Sequence, residues 1–323
     1  MRNSFSIAVM GDIMIDIDLR IPSLESLINT RGSDFPTEIQ VTPGGSAANT
    51  ASWLSLCGDH VVLFGAVGED FAGSSAEGAI KAIGVVPLLK HDPHFATGMC
   101  IVMTEGDGSR TMIPSAGANA YLGITDLELL WPPDGMHHFH LSAYSLFHQE
   151  ASATALKALQ KAYELGATIS LDPASHTLIP HHLNVILQAL RLTNVLLANQ
   201  EEAEALFRSV TNQGSKMSPP VEEMLPTLIG LLNTESTMGS AAVVTLGEAG
   251  SASLSGTGEY AIAQGSSIHQ IESSAGAGDA FNAGFLHTWL TDNTNLQSAL
   301  QGGNHIAAQA LTRVGASPAS RNS

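Results

Sequence analysis

The residues best suited to chemistry lie near the C-terminus, in the run Ser273-Ser274-Ala275-Gly276-Ala277-Gly278-Asp279-Ala280-Phe281-Asn282-Ala283-Gly284. A Gly-Ala-Gly turn leads into an apolar helical stretch (Phe281, Phe285, Leu286, Trp289, Leu290), and one carboxylate sits where that helix begins. Small residues let a backbone approach a ligand closely. The first N–H groups of a helix have no internal partner and lie at the positive end of its dipole, so they attract anions. Asp279 beside such a nest fits a site that holds a phosphoryl group while a carboxylate takes a proton. A plainer reading is that Asp279 only caps its helix and the glycines only shape a turn.

The rest of the chain bears on that choice. At 323 residues, with 44% hydrophobic residues, it can bury one large α/β core or two ordinary ones. No apolar run approaches the roughly 20 residues that span a bilayer. The N-terminus, from Met1 to Met10, runs straight into a strand without a basic and then apolar leader, so no signal peptide is expected. Two cysteines, Cys57 and Cys100, exclude a disulfide framework and point to a reducing cytoplasm. The balance of 13 basic against 30 acidic residues, net −17, makes nucleic acid and anionic membranes poor partners. ATP remains compatible, because Mg²⁺ and the local site set the field around its phosphates.

Something must position Asp279. Ile7–Met10, Val61–Phe64, Ala167–Leu171, Val195–Ala198 and Ala241–Thr245 read as buried strands. Between them lie helical patterns such as Leu156, Leu159, Ala162 and Tyr163 within 151–165. Strands alternating with helices predict a mostly parallel sheet with right-handed crossovers, whose ligands sit at the carboxyl ends of the strands. Asp172, Asn199 and Gly247 stand at three such ends. Two stretches break the rhythm. Asp16 to Val41 is strand-like with turn residues, and Thr97 to Ser115 predicts a hairpin turning at Gly106-Asp107-Gly108. They form either a small sheet that closes over the site as a lid or peripheral decoration. Residues 209–240 predict one surface helix, and 317–323 a frayed tail.

Several segments together resemble the ribokinase-like, or PfkB, family of carbohydrate and nucleoside kinases, from Val9 to about Ser317. They are Gly11-Asp12-Ile13-Met14-Ile15-Asp16, Pro43-Gly44-Gly45-Ser46-Ala47-Ala48-Asn49, Gly65-Ala66-Val67-Gly68-Glu69-Asp70 and Gly117-Ala118-Asn119. Further on come Asn199-Gln200-Glu201-Glu202, Thr245-Leu246-Gly247-Glu248-Ala249-Gly250, Gly276-Ala277-Gly278-Asp279 and Thr312-Arg313-Val314-Gly315-Ala316. The resemblance implies a three-layer α/β sandwich with a mostly parallel central sheet and a small β-sheet lid. It implies a single domain over 1–317, with lid segments at about 13–41 and 96–116 and a flexible tail at 318–323.

It also implies roles. Asp279 is the catalytic base, with Gly276, Ala277 and Gly278 as the anion hole. Asp16, Gly44, Gly45 and Asn49 grip the substrate, joined by Arg110 if that side chain is more than a solvated turn cation. Asn199, Thr245, Gly247, Gly250 and Asn304 serve ATP, and Glu202 serves Mg²⁺ through water. The implied reaction is ATP-dependent phosphorylation of a hydroxymethyl group on a small sugar. A nucleoside kinase and a catalytically silent sugar or nucleotide sensor are the alternatives. Dimerisation through the edges of the lid sheets is a further expectation.

The chain departs from the family pattern in three places. Ser273-Ser274-Ala275 replaces the usual Asp-Thr of a monovalent-cation site, so K⁺ activation stays open. Ser46 stands where ribokinase has lysine, and Asp172-Pro173-Ala174-Ser175-His176 lacks the asparagine and arginine common after Asp-Pro. The competing nucleotide fingerprints are missing: there is no Gly-x-x-x-x-Gly-Lys-Ser/Thr loop, and no third glycine follows Gly276 at dinucleotide spacing. His91, His94, His137, His138 and His140 have no cysteine or carboxylate cluster beside them and read as ordinary structural residues.

Overall fold

The computed structural model describes residues 6–107, 109–131, 135–212, 217–233, 239–266, 268, 271–313 and 315–318. Gly108 of the expected hairpin turn, Val314 and residues 319–323 of the expected tail lie outside them, as do Met1–Phe5. The strands run in chain order as β1 (Ser6–Met10), β2 (Met14–Arg20), β3 (Ile39–Gly44), β4 (His60–Gly68), β5 (Val86–Asp92), β6 (Gly98–Thr104) and β7 (Arg110–Ser115). They continue as β8 (His138–Ser142), β9 (Thr168–Asp172), β10 (Val195–Asn199), β11 (Ala241–Thr245), β12 (Ser251–Ser255) and β13 (Tyr260–Ala263).

The large sheet has the order β13-β12-β11-β10-β9-β8-β1-β4-β5, with all strands parallel except β12, which pairs antiparallel with β11 and β13. Alternation along its strands sorts side chains into two cores, because successive residues point to opposite faces. Ala8, Met10, Leu196, Ala198, Ala242 and Val244 pack on one side, under the helices Gln149–Glu164, Ile179–Leu190, Gln200–Thr211 and Val221–Ile229. Ile7, Val9, Val195, Leu197, Ala241 and Val243 pack on the other, under Ser46–Cys57, Phe71–Ile83, Ala277–Thr291 and Leu296–Leu311. With both faces covered, these strands read as continuous apolar runs, as parallel strands do. The layered α/β architecture is the one expected.

In residues 209–240 the described part holds the end of Gln200–Thr211 and one surface helix, Val221–Ile229, which exposes Glu222, Glu223 and Pro226 and buries Met224, Leu225 and Leu228 in the core. Pro226 inside it and the acidic Glu222 and Glu223 mask its apolar face in the sequence. The neighbouring His138 and His140 are fully buried on β8. Their rings engage Thr168 and Ser170 hydroxyls at 2.7 Å, while the buried His140 Nε2 has no partner among the described residues.

A second sheet, β3-β2-β6-β7, is built from the two stretches that break the α/β rhythm. Its register sets Asp16 beside Cys100 and Asp18 beside Val102, with Arg110, Met112 and Pro114 along β7. That face turns toward the carboxyl ends of the large sheet. The opposite face carries the row Val41, Ile17, Ile101 and Ile113, of which Val41 is 65% and Ile113 51% exposed. Asn119 fixes the crossing between the sheets: it accepts the Ile13 N–H at 3.1 Å and donates to the Ile13 carbonyl at 2.9 Å. No helix of the described residues is long and apolar enough to cross a membrane.

Candidate active site

The helix Ala277–Thr291 begins at Gly276, whose φ of 72° is the left-handed conformation that glycine takes without strain. A Cβ on Gly276 would also lie 2.5 Å from the Ala316 carbonyl oxygen, so the position is closed to side chains. Gly278 is the opposite case: a Cβ there would meet nothing within 4 Å, and the residue borders the cavity. Among the described residues no acceptor takes the N–H of Gly278 or Asp279. Two donors at the positive end of a helix therefore face open space, the arrangement that binds anions.

Asp279 is held from the neighbouring helix. The Ser46 hydroxyl donates to its Oδ1 at 2.8 Å and Asn49 Nδ2 donates to its Oδ2 at 2.9 Å. Asn49 is fixed in turn, because its Oδ1 accepts the Ser317 hydroxyl at 2.7 Å. The start of Ser46–Cys57 is anchored by Asp12, whose carboxylate accepts the Ser46 N–H at 2.9 Å and the Ser142 hydroxyl at 3.2 Å. Gly45, at φ 96°, fits its backbone against the Asp12 carbonyl, 2.5 Å from where a Cβ would stand. Asp12 thus works as an external cap for the helix that carries both partners of Asp279.

A cavity of about 610 Å³ spans these groups, the small sheet and the ends of β8 to β11. Asp16, Gly45, Asn49, Arg110, Asn199, Glu202, Thr245, Gly276, Gly278 and Asp279 all line it. Gly44 borders a smaller cavity of about 320 Å³. A side chain on Gly44 would overlap the Asp16 carboxylate, so this glycine is what leaves Asp16 its room. Gly247, Gly250 and Asn304 are not on the wall of the large cavity. Asn304 is buried, accepts the Ser251 hydroxyl at 3.1 Å and donates to the Ala263 and Gln264 carbonyls at 3.2 and 3.1 Å. Its side chain ties the helix Leu296–Leu311 to β12 and to the end of β13.

The site is acidic. Asp12, Asp16, Asp18, Asp172, Glu202 and Asp279 line the cavity, and Arg110 is the one lysine or arginine among the lining residues. Burial pushes Asp279 up to about 8, helped by the charge of Asp172 and opposed by the Asn49 and Ser46 bonds. Asp172, at the end of β9, rises to about 6 through burial, although the Ala174 N–H and Asn282 Nδ2 donate to it at 2.8 and 2.7 Å. Glu202 is raised well above the carboxylate range by burial and by Asp172. It also shares a reciprocal cap with Asn199, the two backbone N–H groups donating to the opposite side chains at 2.9 and 2.8 Å. Asp16 is pushed up to about 7 by burial, then by Asp18 and Asp12.

Four contributors escape a reading of the sequence. Ser46 and Asp12 act only because segments far apart in the chain meet. Asn282 had a local signal, since it follows Asp279 by three residues and so shares its helix face. The fourth is a ring wall: Tyr144 meets Phe147 edge-on at 5.9 Å, and Phe147 lies 5.0 Å from His182, all three on the cavity.

Known proteins resemble this chain along nearly its whole length. The ATP-dependent ribose-1-phosphate kinase of Halopiger xanaduensis is 26% identical over 308 residues, covering 95% of this chain and 92% of the relative. The crystal structure of adenosine kinase from Sinorhizobium meliloti superposes with a TM-score of 0.83 at 23% identity, covering 98% of this chain and 97% of that one. A fructokinase double mutant from Vibrio cholerae O395, in fructose, ADP and potassium ion bound form, superposes at 0.76 with 21% identity and coverage of 98% and 95%. The ribokinase-like fold and a carbohydrate kinase activity follow. With the pfkB family carbohydrate kinase pattern matching residues 4–322, this chain belongs to the pfkB family of carbohydrate kinases.

Proposed function

We propose that the chain transfers the γ-phosphoryl group of ATP to a hydroxymethyl group of a small sugar or related polyol. The observation that carries this is Asp279: a base held by two side chains, directly beside two unpaired helix N–H groups. Asp279 takes the acceptor proton while the acceptor oxygen forms its bond to the γ-phosphorus. The bond from that phosphorus to the β,γ-bridging oxygen breaks, and ADP leaves with the electron pair. The N–H groups of Gly278 and Asp279, with Ala277 beside them and Gly276 shaping the turn, meet the charge on the group in transfer. Asp16, Gly45, Asn49 and Arg110 face the acceptor, with the small sheet as a lid that excludes water. Asn199 and Thr245 border the phosphate side, while Gly247, Gly250 and Asn304 shape the strand ends behind it.

Among the described residues no group of three or more His, Cys, Asp or Glu side chains can hold a metal alone. That suits Mg²⁺, which rests on one or two carboxylates, waters and phosphate oxygens. Glu202 and Asp172 fit, being buried hard-oxygen donors, with the charge of Asp172 helping burial to raise the proton affinity of Glu202. These two carboxylates would hold Mg²⁺, whose chemistry there would be neutralisation of phosphate charge. A K⁺ requirement is tested by replacing potassium with sodium during turnover.

The ring wall favours a second reading, because Tyr144, Phe147 and His182 present faces suited to a planar base. A nucleoside kinase would use it. Mg·ATP consumption across a panel of sugars and nucleosides separates the two. Turnover on one class selects it, and ATP binding without turnover on any compound favours a sensor.

Two outcomes follow from the same geometry. Gly44→Ala should displace the Asp16 carboxylate and raise the acceptor KM by about tenfold or more, with kcat largely kept, which steady-state kinetics reads. The base must be deprotonated to act and sits near 8, so kcat/KM should climb as pH rises through about 8 and level off above it. We also propose that a second copy covers the exposed Val41–Ile17–Ile101–Ile113 row and the edges of β3 and β7, forming a homodimer. A monomer in sedimentation at high concentration would remove that idea.

A further inference from the structure

We infer that the acceptor is an amino sugar, whose ammonium group lies away from the reacting hydroxymethyl and is held by Asp18 beside Asp16. The inference rests on the kinase reading above and names the acceptor class of that same site.

The cavity face of the small sheet is laid out in rows. Asp16 lies beside Cys100 and Pro114, Asp18 beside Val102 and Met112, and Arg20 beside Thr104 and Arg110. Side chains alternate along a strand, so residues 16 and 18 of β2 share this face. Both carboxylates line the cavity together with Cys100, Val102, Met112 and Pro114, a floor that offers them no strong donor. Asp16 is only 8% exposed, and among the described residues no hydrogen bond reaches its carboxylate. The half-buried Asp18 carboxylate likewise has no hydrogen bond or ion pair among them. Buried carboxylates without donors are costly, so a ligand that fills this end must bring the donors.

Charge decides which donors. The hydroxyls of a neutral sugar would satisfy Asp16, but they would leave the second charge, which stands one row further out and helps to push Asp16 up. Arg110 offsets only part of it. Its Nη2 is turned to the Ser273 hydroxyl at 3.0 Å, and Arg20 is exposed and off the cavity wall. Both charges lower Asp18, yet burial outweighs them and keeps that carboxyl above its ordinary value. One cavity guanidinium against two carboxylates leaves a negative charge for a ligand cation. An ammonium supplies that charge and three donors. The layout also says where on the acceptor it belongs. Gly44 packs on the Asp16 carboxylate, and Ser46, two residues on, donates to Asp279. Asp18 lies about 7 Å further along β2, away from that junction. The amine therefore sits at the far end of the acceptor from the hydroxymethyl that reacts, and it takes no part in the transfer itself.

The test is acceptor kinetics on the full chain with saturating Mg·ATP, using matched compounds. D-glucosamine is set against D-glucose and N-acetyl-D-glucosamine, and 1-amino-1-deoxy-D-fructose against D-fructose. In at least one set the amine should exceed its parent by about tenfold or more in kcat/KM. N-acetyl-D-glucosamine, which keeps the nitrogen without the charge, should show no such gain. In Asp18→Asn, which keeps the shape and removes the charge, the ratio of amine to parent should fall to within about threefold of one. Asp18→Ser carries the same comparison if the asparagine variant melts early. A parent sugar that equals or beats its amine in both sets, a preference that survives both variants, or turnover confined to nucleosides would overturn the assignment. No turnover on any sugar or nucleoside, with ATP bound, would instead bring down the phosphoryl-transfer reading beneath it, so the two failures are distinguishable.

Discussion

Asp279→Asn is expected to lower kcat by about 10²–10⁴-fold and yet to make the free protein more stable at pH 8. Asparagine can keep both partners, its carbonyl accepting from Asn49 Nδ2 and its amide donating to a rotated Ser46 hydroxyl, so the fold has no reason to change. What it cannot do is take a proton. The stability effect has a definite sign. Asp279 sits near 8 in the folded chain and near 4 when unfolded. Between those values the folded state holds a proton that the unfolded state releases, so wild-type stability declines as pH rises from about 4 to about 8. Asp16 near 7 and Asp172 near 6 add slopes of the same sign over narrower windows. The variant lacks the Asp279 contribution, so its Tm should exceed that of wild type at pH 8 by roughly 2–6 °C and converge with it near pH 4. Melting curves at several pH values, beside turnover on the substrate that wild type accepts, check both halves. An inactive variant that is also less stable at pH 8 would mean that the carboxylate is structural.

That opposition of activity and stability is what a site of crowded carboxylates predicts. Asp12, Asp172, Glu202 and Asp279 all pay a desolvation cost, and hydrogen bonds from Ser46, Asn49, Asn282 and nearby backbone offset only part of it. A bound Mg²⁺ would relieve part of the rest. The free protein is thus under electrostatic strain that a bound cation would reduce, and that relief would appear as tighter Mg·ATP binding and, through mass action, as a higher Tm.

Much of this was legible in the residues, for physical reasons that also explain the remainder. Strands such as Val195–Asn199 and Ala241–Thr245 are buried on both faces, so they announce themselves as unbroken apolar runs. Ser251–Ser255 is as buried in its first three residues, but serine and alanine fill the narrow space there and leave no apolar signature. Asp279 and Asn49 lie in the first turns of helices that follow glycine-rich segments, whose composition marks close approach to a ligand. Ser46 and Asp12 do not stand out, since their function exists only once segments up to 233 residues apart are brought together. Asn304 shows the converse. A buried polar side chain must satisfy its hydrogen bonds, and the sequence does not say whether a ligand or the Ala263 and Gln264 carbonyls will do so.

Gly278 offers the second large effect, because its glycine has no internal explanation. It is a helical residue with ordinary φ, and a Cβ there would touch nothing within 4 Å. In a helix, alanine is favoured over glycine by about 0.5–1 kcal/mol. Gly278→Ala is therefore expected to stabilise the free protein slightly while lowering kcat/KM by about 10²-fold, as the methyl group intrudes where a phosphoryl oxygen approaches the nest. Gly276→Ala should behave differently, since strain at φ 72° and the approach to Ala316 cost stability by about 1–3 kcal/mol and displace the helix start. Denaturant titrations paired with kinetics on both variants distinguish a glycine kept for the ligand from one kept for the fold. A Gly278→Ala protein with wild-type turnover would place the phosphoryl group elsewhere, and with it the case for the nest.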